Sequence, residues 1–436
     1  MLLVCRPCHQ QIADRWTASP MGRSYGLVDA AKEISGRFTQ AVSHTEFRIA
    51  PRDGALELLW GSHRQRLDFF IGSRRVGRSF GFSEDGYLYQ APVGFYADRH
   101  AWDMAPGYEK DTQPDLSRPI TPECLFCHAS GARAEPGTLN RVASLSAIEP
   151  IGCERCHGDG AAHAARPRRD NIVNPARLAP RARDSVCEQC HLAGDVRLAQ
   201  AGKPLANYRP GADLSEFVAV FTAGSPRRGI RVNAHAEALA ASRCRQQSAG
   251  KLWCGTCHDP HRQTASYRKT CLGCHSCSDA NRNREDCVTC HMPKFESASG
   301  GHTTWTDHSI PRRAARVKSG RSLDLKAYYN GTDTPRNLGL AYAELKQIER
   351  AWPLLRAAAD SRPSDPDLYT RVAMILEADG RTGQAIDIYR HSLELNPDQY
   401  MAVVRLAKLL AGRGDKEEAA ALERRARILL PRGAGP

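Results

Sequence analysis

The sequence predicts a mainly α-helical chain with sparse regular structure through its middle third, a small antiparallel β region near the N-terminus and a C-terminal α-solenoid. Three observations carry this prediction: a 34-residue repeat beyond residue 332, seven Cys-x-x-Cys-His motifs, and strand-like alternation between the first two of those motifs. The chain has 436 residues, 41% hydrophobic and 25% charged, which suits two or three globular domains and excludes a wholly disordered segment. No apolar run approaches the roughly eighteen residues that span a bilayer, so no transmembrane helix is expected.

Residues 1–120 hold the first motif and a long interval without another. From His44 to Tyr96 short strands are expected, with PRDG and SEDG as hairpin turns and alternation in RSFGF and YLYQ. This part reads as a structural spacer.

Residues 121–311 are the dense region. The motifs along the whole chain are Cys5/Cys8/His9, Cys124/Cys127/His128, Cys153/Cys156/His157, Cys187/Cys190/His191, Cys254/Cys257/His258, Cys271/Cys274/His275 and Cys287/Cys290/His291. Fourteen of sixteen cysteines are used. Two thiols at this spacing add to the two vinyl groups on one porphyrin edge, and the next residue's imidazole meets the iron. Zinc is the rival reading, because paired Cys-x-x-Cys knuckles bind it. Zinc does not demand a histidine after every pair, and chance placement in all seven has a probability on the order of 10⁻¹⁰. Seven covalent haem c groups, with those seven histidines as proximal iron ligands, are therefore expected. Aromatic residues are 7% of the chain, a meagre supply for a side-chain core, so the cofactors replace it.

A low-spin electron-transfer haem needs a sixth ligand, and an open position admits a substrate or gas. Outside the repeats, which hold His391, eight histidines remain for seven irons. His163 in CHGDGAAH and His261 in CHDPH sit too close to their own motifs to reach the far face of the same iron, so each is assigned to a neighbouring haem. His235, His302 and His308 are further distal candidates, and His44 another. His63 and His100, among Arg-rich turns, read equally well as solvated surface residues. Met292 points the wrong way for its own iron and reads as packing. Cys244 and Cys277 are left over, as a disulfide or as thiols.

The runs CERCHGDGAAH, KLWCGTCHDPH and CVTCHMPK, with TDHSI and IGSRRVGRSF…DGYLYQAPVGFY…WDMAPGYE, resemble bacterial multihaem c-type cytochromes with C-terminal tetratricopeptide repeats. These are distantly similar to the haem-packing group of pentahaem nitrite reductase and hydroxylamine oxidoreductase. The resemblance spans nearly the whole chain and implies that His163 and His261 are distal ligands to other haems. No Cys-x-x-Cys-Lys site is present, so nitrite reduction is not implied.

Residues 312–332, basic and containing Gly and Ser, read as a linker. Residues 333–432 read as three tetratricopeptide repeats. Gly339, Ala373 and Ala407, then Ala351, Ala385 and Ala419, then Pro363, Pro397 and Pro431 recur every 34 residues, with Gly380 and Gly414 at intervening turns. Small residues allow the two helices of a repeat to cross closely, and proline ends the second. Such a stack offers a concave surface for a redox partner protein or membrane complex, or else caps the haem region.

The net charge of +13 does not argue for nucleic acid. Seven haems bring about fourteen propionate charges, and guanidinium forks suit carboxylates. Haem attachment of this kind occurs outside the cytoplasm, so a periplasmic or extracellular location is expected. Cys5 stands too near Met1 to leave room for a signal peptide, so either a start upstream or a fragment of a longer chain is expected. Electron transfer without a catalytic residue is the favoured reading. A reductase or oxidase of a small nitrogen or sulfur species at one open haem, and a self-assembling conduit, are its rivals.

Overall fold

The computed structural model describes residues 2–223, 234–262, 266–276, 286–296, 304–312 and 324–433. His302 and Cys277 lie outside them, as does any bridge from Cys277 to Cys244.

A helix over Leu2–Ala18 carries the first motif, with Pro7 inside it and a non-helical backbone at His9. Nine strands follow: β1 Tyr25–Leu27, β2 Gly36–Thr39, β3 Glu46–Arg52, β4 Ala55–Trp60, β5 His63–Leu67, β6 Phe69–Ile71, β7 Gly77–Glu84, β8 Tyr87–Tyr96 and β9 Ala101–Met104. They form two antiparallel sheets, β2-β3-β4-β5 and β1-β6-β7-β8-β9. This β region is larger than the single small sheet expected.

Both expected hairpin turns are present. Asp53 and Gly54 (φ 50° and 79°) join β3 to β4, and Asp85 and Gly86 (φ 50° and 87°) join β7 to β8. Two successive positive φ values match the twist of the flanking strands.

The two sheets enclose a core of Phe47, Ile49, Leu56 and Leu58 on one side and Phe80, Val93, Phe95 and Trp102 on the other. Burying each such side chain is worth about 1.5–3 kcal/mol. β8 lacks alternation because both its faces are covered: Ala91 and Val93 face this core, while Leu88 packs against Tyr25, Phe69 and Leu125.

Through residues 121–311 the regular elements are short, as expected. Most motifs sit at one-turn or two-turn helices, such as Glu154–His157, Cys254–Cys257 and Cys287–His291, and the longest of these helices, Pro180–His191, ends on the fourth motif. Strand Val218–Ala223 pairs with both Val196–Ala199 and Leu325–Ala327. The second partner lies within the stretch read as linker.

Six helices complete the chain: Pro335–Glu344, Ile348–Asp360, Pro366–Ala378, Thr382–Leu395, Tyr400–Arg413 and Lys416–Leu429. Ala351 and Ala385 are fully buried where paired helices cross. A Cβ at Gly339 would stand 2.8 Å from Leu355, so that crossing tolerates only hydrogen. Pro363, Pro397 and Pro431 each follow the second helix of a repeat.

The repeats are fastened to the rest of the chain at both ends. Arg336 Nη1 donates to Ala199 O at 2.6 Å and Asn337 Nδ2 to Gln200 Oε1 at 2.9 Å. At the far end Leu430 packs among Phe82, Tyr87 and Tyr89, Arg432 pairs with Glu84, and Tyr87 Oη donates to Ile428 O. Among the described residues no helix is long and apolar enough to cross a membrane.

Candidate haem-binding cleft

One continuous cavity of about 3470 Å³ runs through the middle of the molecule. That is several times the roughly 300–1,000 Å³ of an ordinary small-molecule pocket. All fourteen motif cysteines and all seven motif histidines line it, together with His163, His235, His261 and His308. The β7–β8 side contributes Arg78, Phe80, Gln90 and Tyr96 to its wall. His44 does not line it. That residue occupies an exposed turn with φ 56°, and its N–H donates to Gln40 O. His63 and His100 are exposed as well, against Trp60 and Phe95.

Two imidazoles ligating one iron from opposite faces, with each nitrogen about 2 Å from the metal, place ring centroids about 6 Å apart. Three pairs meet this spacing: His9 with His163 at 6.4 Å, His157 with His261 at 6.0 Å and His258 with His308 at 6.2 Å. A fourth, His191 with His235, stands at 5.4 Å. Every pair joins a motif histidine to one from another part of the chain. His163, in the run of the third motif, faces the first, and His261, in the run of the fifth, faces the third.

Hydrogen bonds fix which nitrogen is free to ligate. His157 Nδ1 is paired with Val173 O at 2.7 Å, His308 Nδ1 with Thr306 O at 2.9 Å, and His291 Nδ1 with Pro311 O at 3.1 Å. His163 Nδ1 is held by Arg168 O and Asn171 Oδ1, both at 3.0 Å. Nδ1–H bound to a carbonyl leaves the Nε2 lone pair for a metal. Burial pushes the pKa of His191 down to about 4 and lowers those of His128, His157, His258 and His308. These rings are therefore neutral, the form that binds iron. His235 Nδ1 is buried with no hydrogen-bond partner among the described residues, a cost that a ligand would remove.

The motifs also lie close to one another. The thiols of Cys5 and Cys153, Cys127 and Cys190, Cys187 and Cys254, and Cys271 and Cys287 stand near enough to shift one another's pKa. Cys156 lies within electrostatic reach of Cys187, and Cys257 within that of Cys271. In motif order this gives a row 1–3–4–5–6–7, with the second motif branching at the fourth. Among the described residues no cluster of three or more His, Cys, Asp or Glu side chains converges as zinc would require. The donor set fits paired thioether attachment and axial imidazole ligation.

Several groups at this site carry no sequence signal. Glu188, inside the fourth motif, is buried and accepts from Tyr328 Oη at 2.8 Å and Tyr329 Oη at 2.9 Å. Tyr267 Oη lies 3.3 Å from His258 Nδ1, and Trp305 packs against the His235 ring. Nothing in the residue order marks these partners, which come from segments up to 141 positions away.

Residues 97–158 match the family Cytochrome c554 and c-prime, and residues 366–399 match a tetratricopeptide repeat. The first match contains the second and third motifs. No curated protein sequence matches the chain. A crystal structure of MamA from AMB-1 is 28% identical over 22% of this chain and 56% of its own, with TM-score 0.20. YrrB, described as a tetratricopeptide protein with an unusual peptide-binding site, is 21% identical over 23% of this chain and 54% of its own, with TM-score 0.21. The chain thus spans about half the length of these repeat proteins. The crystal structure of the outer cell wall cytochrome OcwA matches over 98% of both chains at 13% identity, with TM-score 0.42. Over residues 97–158 the chain is similar to cytochrome c554 and c-prime, a haem c protein type, and its C-terminal part includes a tetratricopeptide repeat.

Proposed function

We propose that the chain carries electrons along a row of seven covalently bound haem c groups between external redox partners. The observation that carries this reading is the single cleft holding all seven motifs with three opposed imidazole pairs at the spacing that an iron between them requires. Haem c, where bound, supplies iron that cycles between Fe(III) and Fe(II). The chain supplies the rest. Motif thiols would fix the porphyrin edges, and the motif histidines would hold the proximal positions. His163, His261 and His308 would take distal positions at the first, third and fifth sites, and His235 is the candidate beside the fourth. The closeness of the motifs would keep adjacent stations within hopping range, and burial would keep water from the inner ones.

The same reading keeps the division into residues 1–120, 121–311, 312–332 and 333–432, a location outside the cytoplasm, and the distant likeness in haem packing to nitrite reductase and hydroxylamine oxidoreductase. The repeats first serve the chain's own body, since one end is fastened to the motif-rich region and the other to the β region. Their remaining open surface is the part offered to a redox partner.

Electron paramagnetic resonance of the oxidised holoprotein, with haem quantified per chain, tests the proposal. Seven covalent haems are expected, with low-spin ferric signals from at least the first, third and fifth sites. A colourless matured protein holding stoichiometric zinc, or a haem-loaded protein without low-spin ferric signals, would overturn it.

A further inference from the structure

Two rings of the opposed pairs are gripped by one loop. His163 rides on the short helix Ala161–Ala165 and faces His9, 17° from parallel, where His9 leaves the helical backbone of its own segment. A helix of five residues does not hold a direction alone, and its last carbonyls have no intrahelical donor. Asn171 meets both needs. Its Nδ2 donates to Ala162 O at 3.2 Å and Arg166 O at 2.9 Å, and its Oδ1 stands 3.0 Å from His163 Nδ1. Two residues further on, Val173 N–H donates to His157 O at 3.2 Å, while Val173 O accepts from His157 Nδ1 at 2.7 Å. Residues 168–173 therefore hold one ring of the pair at the first motif and one ring of the pair at the third.

The partners settle which atom carries the proton. Arg168 O also stands 3.0 Å from His163 Nδ1, and a backbone carbonyl only accepts, so Nδ1 is the N–H and Nε2 keeps its lone pair. The Asn171 amide has one workable orientation, since its NH2 is spent on two carbonyls and, turned over, would point a donor at the ring N–H. The His163 N–H thus meets two acceptors, where the Nδ1 of His157 and of His308 is paired with one carbonyl each. An accepted N–H returns electron density to the imidazole and makes Nε2 a stronger donor. A stronger donor favours Fe(III) over Fe(II) and lowers the potential.

We propose that Asn171 is a positioning residue of the first site: it aims His163 at the iron of the haem on Cys5 and Cys8, opposite His9, and through the His163 N–H it keeps that site's potential low. Asn171 touches no iron and acts through the imidazole. It belongs to none of the seven motifs, and only the fold brings its side chain against the ring. This inference rests on the electron-transfer reading above, in which His163 is the distal ligand there.

A spectroscopic redox titration and low-temperature electron paramagnetic resonance of the full-length holoprotein test it. His163→Ala should remove one near-parallel low-spin signal and add a high-spin one, which assigns the first site's signal and midpoint potential. Asn171→Ala and Asn171→Asp both lose the ties to Ala162 O and Arg166 O, but Asp keeps an acceptor, now charged, on the His163 N–H. With haem content unchanged, Asn171→Ala should raise that midpoint and Asn171→Asp should lower it at neutral pH. Each shift should reach at least about threefold in the one-electron equilibrium constant, which is about 28 mV at ~59 mV per tenfold. Should Asn171→Ala not load haem, the nearly isosteric Asn171→Leu takes its place with the same expected rise. Shifts of one sign in both variants, or none in either, would overturn the inference alone, because loss of the backbone ties is common to both. Unchanged spectra in a haem-loaded His163→Ala would overturn it together with the ligand assignment, and a protein without covalent haem would overturn the electron-transfer reading itself.

Discussion

The ring of His261 lies 6.0 Å from that of His157 and 18° from parallel, although 104 positions separate them. His261 is only three residues beyond His258, whose own opposed ring is His308. One short run, CHDPH, thus places one ring against the third motif's histidine and another against His308. Asp259 Oδ1 stands 3.3 Å from His261 Nδ1, which leaves the ring's other nitrogen free to ligate. His261→Ala is expected to leave the iron at the third site without a distal ligand. The oxidised variant should lose one near-parallel low-spin signal and gain a high-spin signal of about one haem per chain. Unchanged spectra would show that His261 is no ligand.

Attachment at the third site is testable by mass. Cys153→Ala combined with Cys156→Ala should lower the covalent haem content, read from the intact mass and the reduced pyridine complex, by one per chain. Because this site lies between the first and the fourth in the row, reduction of the first site through the others should slow by at least about tenfold in stopped-flow traces. An unchanged haem count would rule out attachment there.

Leu430 fastens the end of the repeats, buried among Phe82, Tyr87 and Tyr89. Leu430→Ala should cost about 2–4 kcal/mol of stability by urea unfolding, with a protease cutting the last repeat first. Arg432 beside Glu84 holds that carboxyl below its ordinary range. A carboxyl depressed in the folded state adds stability above its unfolded value, and that contribution disappears as pH falls through the folded one. The pair is half exposed, so Glu84→Gln should cost no more than about 1 kcal/mol at neutral pH and nothing at low pH.

Glu188 offers the opposite sign. Burial raises its pKa, while the hydroxyls of Tyr328 and Tyr329 and the Arg181 guanidinium partly counter the shift. The folded chain therefore holds this proton more tightly than the unfolded one. Its contribution is fully present below the unfolded carboxyl range and is lost as pH rises through the raised folded value. Glu188→Ala, which strips both tyrosine hydroxyls of their acceptor, should destabilise by about 2–4 kcal/mol. Glu188→Gln keeps an acceptor and should cost less while flattening the pH dependence. Equal losses in the two variants would show that the hydroxyl contacts carry no weight.

Much of the chain was legible in the residue order because local chemistry fixes it. The Asp-Gly pairs at 53–54 and 85–86 mark hairpins, since those turns need positive φ at both positions. The 34-residue recurrence marks the paired helices, since small residues and terminal prolines are set by how two helices cross. Distal candidates were legible only in part. His163, His235, His261 and His308, all named as candidates from the sequence, line the cleft, whereas His44, strand-adjacent in sequence, is exposed outside it. The β region exceeded expectation because β8 is covered on both faces, which erases the alternation that would have revealed its length.

By itself the sequence determined the thiol pairs, the imidazole beside each, the repeat period and the hairpin turns, because each depends on residues within a few positions of one another. Tertiary structure alone decided which histidines oppose each other, the row in which the motifs meet and the fastening of the repeats at both ends. Those relationships join segments from tens to more than three hundred residues apart. Their geometry is set by which surfaces pack together, and no spacing along the chain encodes it.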